Sequence, residues 1–467
     1  MIVLHPSVGF SIDALAPLLR STPEIFAVTF ELWLYASEMD HPSAGSLLTS
    51  AGVLFDGHTG LEIAHKRCFT GKVLVELDKV LRKKRRDIPT IFMRSLTRGM
   101  CTPQPDYLSL SYHVLIPNAL LRSTDTLKLS DFNAKDAIRR ISKLFGKLLS
   151  NQRDVSKFEE RDEVIILFAI ECLHYIECSV MSDAYFFIPA LDEGILLSFM
   201  KAKDPLIDDY RPNPPPTTTL SFHFTFICNL LLERILFRPI LIRLVHWFKR
   251  IDKAGLDRLN DSRFDPNPLN LFRKAWNILK EDAYRRSSLR DPDRVRAFMM
   301  CEYPKCPRKE DPSHEKPASH PLMRCSGCQS FVYCSRECQK NDWRNGHREK
   351  CLIVQKHIRG GKYPRIPGHF DLLFARKQLI ADYDARIDQI TQLRRDLKVS
   401  KPHRGKVHLV AWFDYSSELP FELTVHSPEE HTQRLRKLTL GARYLNSSTP
   451  AIGVIPWRGN EPMLVGF

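Results

Sequence analysis

CEYPKC (301–306), PRKEDPSHEKPASHPLMR (307–324), CSGC (325–328) and QSFVYCSRECQKNDWRNGHREKC (329–351) form one run, and its reading decides how the rest of the chain is understood. The run holds seven of the twelve cysteines, where an even spread over 467 residues would put about 1.3 into a window of 51. Such clustering has a chemical cause. Thiolates at short spacing with one imidazole among them are the donor set of tetrahedral Zn²⁺, and eight donors fill two closed sites. The candidate ligand pairs are Cys301/Cys306, Cys325/Cys328, Cys334/Cys338 and His347/Cys351. Spacing alone does not say which pairs share an ion. Two filled sites leave no open position for catalysis. His314 and His320 also lie in the run, but in a Pro- and charge-rich insert that reads as a solvated loop, and the eight better-spaced ligands already suffice.

The order of these ligands resembles the MYND zinc fingers. The resemblance rests on Tyr333-Cys334-x3-Cys338-Gln339 followed by Asp342-Trp343, three residues, His347, three residues and Cys351. It implies interleaved sites, one zinc on Cys301, Cys306, Cys334 and Cys338 and the other on Cys325, Cys328, His347 and Cys351. Two features depart from the commoner family pattern. The first pair is separated by four residues rather than two, and the insert at 307–324 is long. The resemblance also implies a peptide-binding role, in which proline-containing peptides dock as extended segments against the helix that follows the sixth ligand, at the positions occupied here by Gln339 and Trp343. The competing reading makes Trp343 the small apolar core of the finger.

Outward from the finger, composition bounds the remaining possibilities. A chain of 467 residues with 43% hydrophobic content has room for two or three domains with real cores. The most apolar stretch, 220–245, is broken by Glu233, Arg234, Arg238, Pro239 and Arg243, so no membrane span is expected. The N-terminal MIVLHPSVGFSIDALAPLL has no Lys or Arg before its apolar residues and carries Pro6, Asp13 and Pro17, which does not fit a secretory signal. An intracellular, reducing setting, nucleus or cytoplasm, is therefore expected, with Cys68, Cys101, Cys172, Cys178 and Cys228 reduced and buried. The formal charge is +15, falling to about +12 once seven thiolates and two Zn²⁺ are counted. The basic block Arg82–Arg86 reads either as a solvated helix end or as a nuclear import signal.

Residues 1–300 are expected to be helical, an all-α bundle or an armadillo-like stack of helix pairs, with a subdivision near 210–219 where RPNPPPTTT contains four prolines. Apolar spacing of three and four predicts helices over 23–36, 131–149, 161–178 and 219–236. The stretch 219–251 is expected at the core, given Phe222, Phe224, Phe226, Phe237, Trp247 and Phe248. Helices over 265–280 and 291–300 then lead into the finger at 301–351. Residues 352–467 form a helix plus a small α+β region: one long helix over 369–397, strands at 407–415, 421–426, 451–457 and 463–467, and a helix over 428–440. Asp414, Glu418, Glu422 and His426 lie here, and their spacing marks no acid/base site.

The fold class expected is thus mainly α, with a two-zinc finger and a small α+β end. The function expected is non-enzymatic: a zinc-binding adaptor for protein partners, with transcriptional regulation as one setting. A MYND finger also occurs within one group of SET-domain lysine methyltransferases. Those enzymes need a Gly-rich cofactor strand before the finger and an Asn-His-Ser-Cys stretch after it. Here only Asn446-Ser447-Ser448 and Tyr444 come near, with no His or Cys adjacent. Direct nucleic-acid binding by the finger is not expected either. Its ten Lys and Arg face seven Asp and Glu, and thiolates plus metals bring the local charge to about zero.

Overall fold

The computed structural model describes residues 24–39, 71–84, 87–103, 105–123, 136–150, 160–202, 219–257, 269–288, 303–307, 323–328, 331–359, 369–400, 409–415, 422–437, 451–458 and 461–466, together with 22, 41, 47, 127, 131, 132 and 301. In chain order the helices before the finger are α1 Glu24–Glu38, α2 Gly71–Lys84, α3 Ile88–Gly99, α4 Tyr107–Ser123, α5 Ala137–Ser150, α6 Glu160–Ser182, α7 Phe187–Asp192, α8 Ile195–Lys201, α9 Leu220–Glu233, α10 Arg238–Lys253 and α11 Leu269–Ser287. The finger holds a short hairpin, β1 Met323–Arg324 with β2 Val332–Tyr333, then α12 Arg336–Asp342 and α13 Arg348–Arg359. After it come α14 His369–Ala385, α15 Ile387–Ser400, β3 Val410–Asp414, β4 Glu422–His426, α16 Pro428–Lys437, β5 Ala451–Arg458 and β6 Glu461–Gly466. The protein is mainly α, as its periodicity predicts. The expected helix at 291–300, the loop at 211–218, Cys68, Arg85 and Arg86, and the 444–448 stretch lie outside the described residues. Of the other cysteines expected to be buried, Cys172 and Cys228 are, Cys178 is half-buried, and Cys101 is exposed because it follows the end of α3 in a turn.

Two compact units are built from interrupted segments. The first comprises Met1–Ser179, Pro189–Phe226 and Ile251–Arg273. Within it α1 packs on α2 and α3, α3 on α4 and α5, and α5 on α8. Two aromatic clusters fill the spaces between helices. Phe30, Trp33, Phe92 and Phe132 form one, with Trp33 and Phe92 centroids 4.5 Å apart. Phe145, Phe199, Phe224 and Phe272 form the other, Phe199 stacking on Phe224 at 4.1 Å. Offset and edge-on pairs of this kind contribute about 0.5–1.5 kcal/mol each beyond their buried area. Phe222 and Phe226 differ from expectation: they stack on each other on the outer face of α9, with Phe222 38% exposed. The helix expected from 131 is interrupted near Asp136, whose φ is +61°, and α5 proper begins at Ala137. Its apolar row Ala137, Ile138, Ile141, Leu144, Phe145 and Leu148 is buried, and Arg139 outside it pairs with Glu193 at 2.8 Å. At the end of α2, Arg82 pairs with Asp78 at 2.6 Å and Lys83 lies 3.8 Å from Glu31.

The second unit comprises Val180–Ile188, Ile227–Arg250 and Lys274–Phe467. Its sheet has the order β4-β3-β5-β6, with β3 and β5 parallel and the other neighbours antiparallel. α14 packs on β5 and β6, while α15 packs on β4. One long helix was the sequence expectation there, but the chain turns at Arg386, whose N–H bonds back to Tyr383 O at 3.1 Å. The two helices cover different strands of the same sheet.

A buried ionic cluster ties α11 to α14 and to the end of β3. Arg286, 1% exposed, donates through Nε to Asp282 Oδ2 at 2.6 Å and through Nη1 to Gln378 Oε1 at 3.0 Å and Asp382 Oδ2 at 3.1 Å. Tyr415 donates its hydroxyl to the same Asp382 oxygen at 2.8 Å, and Arg285 reaches Asp382 Oδ1 at 3.1 Å. Burial would lower the Arg286 guanidinium, but Asp382 and Asp282 outweigh it and hold the group above its ordinary value. The finger is therefore an excursion of the chain between two helices that are locked to each other.

Candidate metal centre

Each ligand pair of the finger is placed by a local device. The backbone N–H of Cys306 bonds to Tyr303 O at 3.1 Å, closing a turn that brings Cys301 and Cys306 together. The β1–β2 hairpin pairs Met323 with Tyr333 and Arg324 with Val332, and Cys325 N–H reaches Phe331 O at 2.9 Å. Cys325 and Cys328 sit in the turn this closes. Ser335 caps α12, its Oγ accepting from Cys338 N–H at 3.1 Å, so the cap lies between Cys334 and Cys338 and turns both thiols to one side. After Asp342 the helix breaks: Asn345 has φ −99° and ψ 27°, and Gly346 has φ +112°. That kink restarts the chain as α13, with His347 and Cys351 one turn apart at its start.

The outcome is two separate clusters. Cys301, Cys306, Cys334 and Cys338 have their sulfurs within 4.8 Å of one another, and the same limit holds for Cys325, Cys328, His347 and Cys351. These are the interleaved quartets implied by the family resemblance. A tetrahedral centre with metal–sulfur arms of about 2.3 Å has ligand–ligand edges of about 3.8 Å. The observed edges are close to this: Cys306–Cys334 3.5 Å, Cys334–Cys338 3.6 Å, Cys306–Cys338 3.8 Å, Cys325–Cys351 3.8 Å and Cys328 Sγ–His347 Nε2 3.8 Å. Thiolate and imidazole at such separations fit Zn²⁺, and seven of the eight ligands are buried, Cys334 being half-buried.

Electrostatics show what the thiols need from a cation. Burial pushes Cys301 up to about 11 and Cys351 up to about 12, and raises Cys334 as well. Burial pushes Cys325 up too, but bonds to its sulfur from the Cys328 and Gly327 backbone and from the Cys328 and Cys351 thiols leave it below the ordinary thiol value. A metal that takes these sulfurs as thiolates displaces their protons, so its hold weakens as pH falls. The rings of Phe331, Trp343 and Tyr333 surround His347 at centroid distances of 4.3, 5.6 and 5.8 Å.

Of the two sequence-predicted peptide contacts, Gln339 is half-buried on α12 and Trp343 follows four residues later, 38% exposed although it touches His347. Neither belongs to a metal quartet. Two residues behind the ligands were not found from the sequence. Asp342 accepts the Tyr333 hydroxyl at 2.7 Å, and Gln355 donates to Cys351 Sγ at 3.4 Å. Asp342 stood inside the recognised motif, while nothing in the spacing marked Gln355. In the C-terminal region, Asp414 and Glu422 face each other across β3 and β4, and Glu418 lies outside the described residues.

Comparison with known families agrees with this geometry. Residues 304–351 match the family model of the MYND finger. Two F-box proteins of Arabidopsis thaliana are similar over limited lengths. One is 34% identical over 85 residues, 18% of this chain and 20% of that protein. The other is 30% identical over 97 residues, 21% of this chain and 22% of that protein. The chain thus spans about a fifth of the length of the curated relatives it matches. No solved structure matches. No described helix is long and apolar enough to cross a membrane.

Proposed function

We propose that this chain, which carries a MYND finger at residues 304–351, is a non-enzymatic adaptor whose zinc-held finger captures extended, proline-containing segments of partner proteins. The observation that carries the reading is the exposure of Trp343 beside two closed quartets: all eight donors face inward, while a large indole keeps 38% of its surface in solvent. An exposed flat apolar face is suited to packing against a proline ring, and Gln339, four residues earlier on the same side of the helix, offers an amide to the peptide backbone. Zinc has a mechanical role here. A segment of about 50 residues buries too little apolar surface to hold a groove unaided, and the two ions supply that order. MYND fingers mediate protein interaction, which supports this assignment; transcriptional regulation is one setting such an adaptor would serve.

The test is titration calorimetry of the full chain against proline-containing peptides, with zinc content measured in parallel. Gln339→Ala should weaken capture while two zinc ions are retained. An inert Gln339, together with a Trp343→Ala chain that merely loses its metal, would remove the reading.

A further inference from the structure

Two polar side chains stand directly behind the ligands of the His347 cluster, and one of them lies beyond the matched finger. Gln355, one turn after Cys351 on α13, points its Nε2 back at the Cys351 sulfur, 3.4 Å away. Position 327 makes room for this contact. A Cβ built on Gly327 would collide with Gln355 Nε2 and come within 2.9 Å of Cys351 Sγ. The amide end is flexible and can retreat; a sulfur held by a metal cannot. On the opposite side of the cluster, Asp342 is 7% exposed and held by the Tyr333 hydroxyl at 2.7 Å, and the oxygen that accepts this bond faces His347 Nδ1 at 4.0 Å. The other ring nitrogen, Nε2, is the one directed at the quartet, 3.8 Å from Cys328 Sγ.

We propose that Asp342 and Gln355 are positioning residues for the metal held by Cys325, Cys328, His347 and Cys351, an inference that rests on reading that quartet as a zinc site. An imidazole binds a metal through a nitrogen lone pair, so its proton must sit on the other nitrogen. A carboxylate facing Nδ1 favours the proton there and leaves Nε2 open to the ion. Gln355 does the complementary task at sulfur. Its N–H donates to Cys351, which spreads the thiolate's charge and fixes the direction of its lone pairs. The all-cysteine quartet has neither residue. The two sites therefore differ in kind: the His347 site extends into the helix leaving the finger, and its hold on metal depends on α13 being formed as far as residue 355.

The experiment uses the full chain loaded with zinc and an excess of a chromogenic chelator. Cadmium NMR of the exchanged protein tells a four-sulfur site from a three-sulfur, one-nitrogen site. In Gln355→Met and in Asp342→Asn, metal should leave the His347 site about tenfold faster than in the unaltered chain, while the all-cysteine site, an internal control, releases at its original rate. Gln355→Glu separates donation from packing. It keeps the shape but brings an acceptor to the thiolate, so it should be at least as damaging as Gln355→Met, whereas a packing role would leave it harmless. Nitrogen NMR of His347 should show the Nδ1–H tautomer weakened in Asp342→Asn alone. Equal release from both sites, or unaltered release in all three variants, overturns the proposal while leaving zinc binding intact. A wild-type chain that holds fewer than two ions overturns the zinc reading along with it.

Discussion

His113 in the first unit has its tautomer assigned by its two partners. Its Nδ1 lies 2.8 Å from the Ser109 carbonyl, which can only accept, so Nδ1 carries the proton and Nε2 accepts from the Ser95 hydroxyl at 2.6 Å. Burial drives the ring down to about 4, against the smaller opposing effect of the Ser109 bond. The folded value is depressed, so between about 6.5 and 4 the unfolded chain takes up a proton that the native chain refuses. Stability from this group is complete above 6.5 and is lost as pH falls towards 4, by on the order of 3 kcal/mol. Denaturant titrations across that range should show the slope in the native sequence and a much smaller one in His113→Leu. Residues like this were not legible in the sequence, because whether a histidine is buried depends on how the neighbouring helices pack around it, and here the deciding partner, Ser95, lies on the preceding helix. The zinc ligands were legible, since their chemistry depends on short spacing that survives in any fold. Their interleaved pairing came only with the family resemblance. Asp342 and Gln355 belong with His113: their roles exist only once α12, α13 and the hairpin are assembled.

Among the elements, the break between α12 and α13 does the most for the site. Gly346 has φ +112° and ψ −10°, and no atom lies within 4 Å of where its Cβ would stand. The space is open, so the penalty for a side chain there is backbone strain alone. Gly346→Ala should cost on the order of 1–3 kcal/mol and weaken zinc retention by about tenfold or more, because His347 is the next residue. Competition with a graded series of chelators measures it. A helix-forming alanine that left zinc affinity unchanged would show that the kink is not needed to aim His347. The family resemblance implies a helix after Cys338, but no residue spacing marks its kink. Over 369–397 one apolar stripe likewise predicts one helix, where the structure has two, α14 and α15. Phe374, Leu379 and Ile390 on that stripe are buried, but Ile387, just past the turn at Arg386, is 43% exposed. A stripe records which residues are apolar. It does not record where along it the chain turns, or which strands each part meets.

For the whole molecule, the helices outside the finger are packed by cores of their own, and among the described residues two short helices, of 7 and 12 residues, belong to the metal-held region. Strong chelation should therefore release two zinc ions and unfold 301–351 while most of the far-UV helical signal remains. Loss of most of that signal would show that the other helices depend on the metal. The class of this architecture was legible, because helical and strand periodicities are local. The sheet order β4-β3-β5-β6, with β3 and β5 parallel, was not, since pairing between distant strands leaves no local mark. The ionic lock of Arg286 on Asp382, closed by Tyr415, has a consequence for how such a chain changes over generations. The chain leaves α11 at Ser287 and re-enters α14 at His369 with both banks of the gap already fixed. The entropy of closing the intervening stretch grows only logarithmically with its length. Insertions such as 307–324 are thus nearly free to accumulate, and one recognition cassette can be exchanged for another without the scaffold having to be reinvented.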